Sequence, residues 1–510
     1  MHRIKIKVIC LLSFTLLVVF PIQADVKPNS LFASNAVLQR DKEIPVWGTA
    51  DKDEKVIVEL CGQKVSTTAA ANGAWMVRLN PQKAGGPFKM KISGTNTVVL
   101  DSIYIGEVWI CSGQSNMERQ LGPRSGQKPI LNWEQEAASA DYPLIRQFCV
   151  PLKASRTPLD DCKGKWIVCK PTTAKDFSAV GLFFARDLYQ KIKVPIGIIH
   201  TARGGSAAEA WVDENTLRSL PETKSIVDEF EQRLVEYPKQ LDDFLKNEQE
   251  IMQKYKQDVE NAKKEGKNPP RNPKPVQPGF GSADPAGFYN AMLSPIIPLS
   301  IKGVAWYQGE SNNGKKAKTY QWLLPLMVEK WRKDFQQGDF PFIYVQVAPF
   351  RNMNPEIRES QLLCLPKIKN SAMVVTTDCG DSADIHPTNK RPVGERISLA
   401  AQALAYEYKI EYMGPIYQNY TIKGKKFIIT FTHADGLIAR DGELKGFSIA
   451  GTDNKFLPAT ARINGSTVEV WADAIDSPQA VRYGWENVPH VNLYNAAGLP
   501  ASPFRTDQKN

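Results

Sequence analysis

The chain has 510 residues, of which 42% are hydrophobic and 23% charged, with a formal charge of +10. That length allows roughly two to four domains with sizeable cores, and the composition excludes a disordered or collagen-like chain. The lysines are scattered or lie beside as many acids, which reads as a solvated surface and argues against a nucleic-acid stripe.

Residues 1–24 stand apart. Arg3, Lys5 and Lys7 precede the apolar run VICLLSFTLLVVF, and Ile22-Gln23-Ala24 ends on the small residue that a signal peptidase prefers. The run is shorter than the roughly 20 residues needed to span a bilayer. A cleaved signal peptide is therefore expected, and a secreted or periplasmic mature protein with no membrane span. An odd number of cysteines remains once Cys10 is removed. Cys162 and Cys169 fit either a small disulfide loop or buried free thiols.

From 25 to 103 short β-rich runs alternate with turns, as in EIPVWGTA, KVIVELCG, GAWMVRLN and NTVVLDS. This spacing predicts a small antiparallel β-domain. From 104 to 412 the rhythm changes to apolar strand-like runs and amphipathic helices: SIYIGEVWICSG, VGLFFARDLYQKI, VPIGIIHTARGG, IKGVAWYQGESN, TYQWLLPLMVEKWRKDF, FPFIYVQVAPF and SAMVVTTDCGD. Such alternation predicts an α/β domain with a mostly parallel sheet. A charged helical insertion followed by prolines interrupts it at about 217–279, and a second β-domain is expected over 413–510.

Ligands of open α/β sheets bind beyond the carboxyl ends of the strands. The predicted strands are followed by Ser112 to Asn116, His200 to Gly205, Gln308 to Asn312, and Asp378 to Pro387. Nucleophilic catalysis needs a hydroxyl, a base, an acid that orients the base, and donors for an oxyanion. Ser115 is the candidate nucleophile. The candidate donors are its own N–H, an N–H of Gly204 or Gly205, and the Asn312 amide. His386, with Asp384 and Asp381 just before it, is the favoured base over His200, which has no adjacent acid. Gln114, Arg203 and Gln308 are candidate substrate contacts. Met117 stands where G-x-S-x-G requires glycine, so the ordinary nucleophile elbow is absent. Nothing matches a zinc pattern, and neither metal nor cofactor is expected.

The blocks GQSNM, WYQGESN and DIHP, with the second-strand glycine, resemble those of SGNH-type carbohydrate acetylesterases, and most of all the sialate O-acetylesterase family. The likeness runs over nearly all the chain, through NAVLQR, GGSAAEAW, FYNAMLSPIIP and AVRYGWENVPHVNLYNAAGLPASPFRTD. It implies a flavodoxin-like central domain flanked by β-sandwich-like domains, and an acetyl-enzyme on Ser115 with His386 as base. The commoner block places the acid three residues before the histidine, where Ala383 stands here, so Asp384 and Glu310 compete to orient His386. The implied substrates are O-acetylated sialic acids, with acetylated plant or host polysaccharides as the alternative. A glycan-binding protein without catalysis would have no need of Ser115, Asn312 and His386 together.

Overall fold

The computed structural model describes residues 25–267 and 269–507; the expected leader lies outside them. It is a mixed α/β structure with one large mixed sheet and further β-sheets at both ends of the chain. Across the central sheet the strands run Lys165–Cys169, Tyr142–Cys149, Ile196–Ala202, Thr97–Gly113, Gly303–Tyr307, Phe342–Val345 and Ser371–Val374. Every neighbouring pair is parallel except the antiparallel Lys165–Cys169 edge.

These strands are apolar at successive positions because both faces of the sheet are covered. Alternate residues go to opposite cores. Val108, Ile110, Val304, Trp306, Phe342 and Tyr344 join one cluster, against the Tyr320–Phe335 helix. Trp109, Cys111, Ala305, Tyr307, Ile343 and Val345 join the other, against the helices Ala179–Ile192 and Arg391–Tyr406. Edge-to-face contacts of Trp306 with Trp211 and Trp331 fix the first face.

The Thr97–Gly113 strand is the hinge of the architecture. Its first half pairs antiparallel with Gly85–Ser93, within the N-terminal β-structure, and its second half pairs parallel within the central sheet. Its burial changes accordingly, from alternating to continuous. The runs NTVVLDS and SIYIGEVWICSG, read separately in the sequence, are thus one strand. Beyond the last helix a third core, built on Phe427, Ile449, Val470 and Tyr483, holds the C-terminal sheets. The charged run after Leu217 forms the helices Pro221–Lys246 and Glu248–Lys264, with surface pairs such as Lys224–Asp228. Cys162 and Cys169 are buried free thiols. Among the described residues no helix is long and apolar enough to cross a membrane.

Register brings the functional loops together. Gly113 is level with Ala202 on one side and with Tyr307 on the other, so the loops after these three strands start at one edge. Gly113 has φ +135°, and a Cβ there would lie 2.2 Å from the Tyr307 carbonyl oxygen. Only glycine lets the chain turn at this point while the strands stay paired. Gly113→Ala is expected to destabilise the fold by about 3 kcal/mol or more. A lower Tm and denaturation midpoint would register it, and an unchanged midpoint would contradict the packing described.

Candidate active site

Ser115 opens a four-residue helix, Ser115–Glu118, directly after the Gly113 turn. Gln114 anchors the turn: its N–H donates to the Tyr307 carbonyl, and its Oε1 accepts from the N–H groups of Gly309 and Ser311. Its side chain therefore ties the loop after Tyr307 to the nucleophile turn. The Ser115 hydroxyl lies 2.9 Å from Nε2 of His386 and has no other hydrogen-bond partner among the described residues.

His386 sits on a loop held from two sides. Lys128 pairs with Asp381 at 2.7 Å, Asp381 accepts from the N–H groups of Ala383 and Asp384, and the His386 N–H donates to Asp384 Oδ1 at 2.9 Å. The same Asp384 oxygen is 3.7 Å from Nδ1 of the ring. Burial, and then the nearby Lys390, hold His386 below the ordinary imidazole value, opposed by Asp384. A neutral imidazole against a serine hydroxyl can accept its proton.

Glu310 is oriented differently from the reading that pairs it with His386. Its Oε1 accepts from the Asn116 amide; among the described residues its Oε2 has no partner and no hydrogen bond joins it to His386. Burial pushes its carboxyl above the usual carboxylate range. His200 is likewise unconnected to Ser115; its Nε2 is buried without a partner among the described residues.

The expected oxyanion donors separate. The N–H groups of Ser115 and Gly205 have no protein acceptor among the described residues, whereas the Gly204 N–H donates to Glu118 Oε2 at 2.8 Å. Gly204 is nonetheless the glycine facing Ser115, since a Cβ there would lie 3.5 Å from Cβ of Ser115. Asn312 is 1% exposed and does not line the cavity around Ser115. Its Oδ1 accepts from Ala208 N–H and from Gln308, and its Nδ2 donates to the buried Glu209 carboxylate at 2.8 Å. The side chain braces the loop, so in this structure it is not presented to a bound ester. Gln308 must be corrected in the same sense. It is fully buried, and its amide donates to the Ser206 carbonyl and to Asn312, so it supports the site without facing substrate.

The cavity around Ser115 measures about 400 Å³ and is lined by Gln114, Arg124, Gln127, Arg203, Gly204, Gly205, Glu310 and His386, among others. A larger cavity near Trp322 and Lys367 contains none of these residues. Arg203 lines the cavity without an ion pair among the described residues, and Arg124 stands 3.5 Å from Glu118. Sequence reading missed Arg124 and Glu118, because neither a loop nor a four-residue helix carries a hydrophobic period that shows where side chains point. Among the described residues no group of three or more His, Cys, Asp or Glu side chains is placed to hold a metal ion.

A family model described as carbohydrate esterase, sialic acid-specific acetylesterase matches residues 285–404, a span containing Gln308 to Asn312 and Asp384 to His386. Sialate O-acetylesterase of Rattus norvegicus is 29% identical over 92% of this chain and 92% of its own length. The Homo sapiens protein is 28% identical over 93% and 91%. A solved carbohydrate acetylesterase from Xanthomonas citri is 33% identical, covers 95% of this chain and 100% of its own, and superposes with a TM-score of 0.80. The chain belongs to the sialate O-acetylesterase family. As a member it is a carboxylic ester hydrolase acting in carbohydrate deacetylation. The family-model match begins well after Ser115, so it does not cover the candidate nucleophile.

Proposed function

We propose that the protein is an extracytoplasmic serine esterase of the SGNH type that removes O-acetyl groups from carbohydrates, foremost O-acetylated sialic acids. The observation that carries the reading is the 2.9 Å contact between Ser115 Oγ and His386 Nε2. In the proposed cycle Oγ attacks the acetyl carbonyl while Nε2 takes its proton. The charge that develops on the carbonyl oxygen is met by the N–H groups of Ser115 and of Gly204 or Gly205. Collapse of the tetrahedral intermediate expels the sugar oxygen, which receives the proton from His386. Water, deprotonated by the same imidazole, then attacks the acetyl-enzyme and releases acetate. Asp384 is the proposed orienting acid. For Gly204 to contribute its N–H, Glu118 has to turn away from it, and Arg124, already 3.5 Å from that carboxylate, can hold it.

The sialic-acid assignment rests on the family and on two guanidinium groups, Arg203 and Arg124, in the nucleophile's cavity, because guanidinium binds carboxylate in a planar fork. Acetate release should be faster from O-acetylated sialic acid than from acetylated xylan. The reverse order would remove the sialate assignment while leaving the esterase chemistry in place.

A further inference from the structure

Lys390 is the residue before the Arg391–Tyr406 helix, four residues beyond His386, and it is 1% exposed. A buried ammonium demands partners that make up for lost water. Its Nζ donates to Oδ1 of Asn116 and stands 5.4 Å from the centre of the Tyr307 ring. The donor side of the same Asn116 amide gives hydrogen bonds to Glu310 and, at 3.1 Å, to the carbonyl of Ile385. One amide next to the nucleophile therefore joins a buried lysine, a buried carboxyl group and the residue immediately before His386.

We propose that Lys390 is a positioning residue for deacetylation: by fixing Asn116 it holds the Ile385–His386 backbone so that Nε2 faces Ser115. The proposal rests on the Ser115–His386 reading and adds to it a part that neither residue supplies. Two independent features support it. Asn116 cannot leave Lys390 without stranding buried polar groups on both sides of its amide, so the linkage is stiff. The charged groups that act on His386 are Lys390, Asp384, Arg119 and Arg124, and three of the four are cations. Lys390 in turn faces Glu310, Arg119, Cys379 and Asp384, and burial pushes it down to about 7. Its cationic form is favoured as pH falls below about 7, and its repulsion then opposes protonation of His386. Taking that charge away raises the histidine's pKa, so the acid limb of the rate profile moves to higher pH.

The test compares Lys390→Met, Lys390→Arg and Asn116→Ser with wild type, using 4-nitrophenyl acetate and O-acetylated sialic acid, with Tm measured for each. Lys390→Met is expected to lower kcat by about tenfold to a hundredfold, with little change in KM, and to move the acid limb of kcat/KM upward by about one pH unit. Lys390→Arg keeps the charge and should return the limb toward its wild-type position. Asn116→Ser breaks the link while keeping the lysine, so kcat falls and the limb stays; this variant decides the positioning role if Lys390→Met does not fold. An unmoved limb in folded Lys390→Met, or wild-type kcat in Asn116→Ser, overturns the proposal. Inactivity of Ser115→Ala is a separate result and tests only the underlying pair.

Discussion

Ser115→Ala is expected to lower kcat for acetate release by about 10⁴-fold or more, with Tm unchanged. The two halves of that expectation have different origins. The hydroxyl is partly exposed and bonds to His386 alone among the described residues, so its removal strands no buried group. The turn that carries it depends on Gly113 and Gln114, which the substitution leaves alone. Stability is therefore insulated from the loss, while the proposed acetyl-enzyme has no atom on which to form. Mass spectrometry of the wild type quenched during turnover should find an acetyl group on Ser115. His386→Gln should be nearly as damaging, and the double variant no worse than the single ones, because nucleophile and base act as a unit. Activity that survives Ser115→Ala would sink the mechanism.

The strand ends were legible in the sequence because a parallel sheet covered on both faces writes itself as unbroken apolar runs, and each run here stops on small or polar residues. Ser115 and His386 stand out as candidates because a hydroxyl and an imidazole at strand ends are residue types suited to nucleophile and base. What the sequence did not carry was the direction of side chains on loops. Gln308 and Gln114 both sit beside strand ends, yet Gln308 is closed off from the cavity and Gln114 lines it. Gly309, at φ +153°, turns the backbone between Gln308 and Glu310, and no periodicity encodes such a turn. Lys390 was hidden for another reason. In TNKRP it reads as a solvated loop cation, since lysine is rarely buried, and only tertiary packing encloses it. Asn116 had no assignable task until the structure supplied its three partners.

The contest between Asp384 and Glu310 ends in the second large expected effect. Asp384→Asn should lower kcat by about 10³- to 10⁴-fold, as loss of the orienting carboxylate does in serine hydrolases generally, whereas Glu310→Gln should cost about tenfold or less. The 3.7 Å separation of Asp384 from Nδ1 is longer than a hydrogen bond, but catalytic contacts of free enzymes commonly tighten only once substrate is bound. Asp384 already accepts the His386 N–H on a loop fastened through Asp381, which keeps its carboxylate beside the ring. Glu310 is instead held through its Oε1 by Asn116, a bond that glutamine can keep through its own amide oxygen, and burial raises its pKa. A second reading separates the two residues without relying on rate. Asp384 raises the His386 pKa, so Asp384→Asn should shift the acid limb of its residual activity to lower pH, opposite to the shift expected of Lys390→Met. A severe loss in Glu310→Gln together with a mild one in Asp384→Asn would reverse the assignment and make Glu310 the orienting acid.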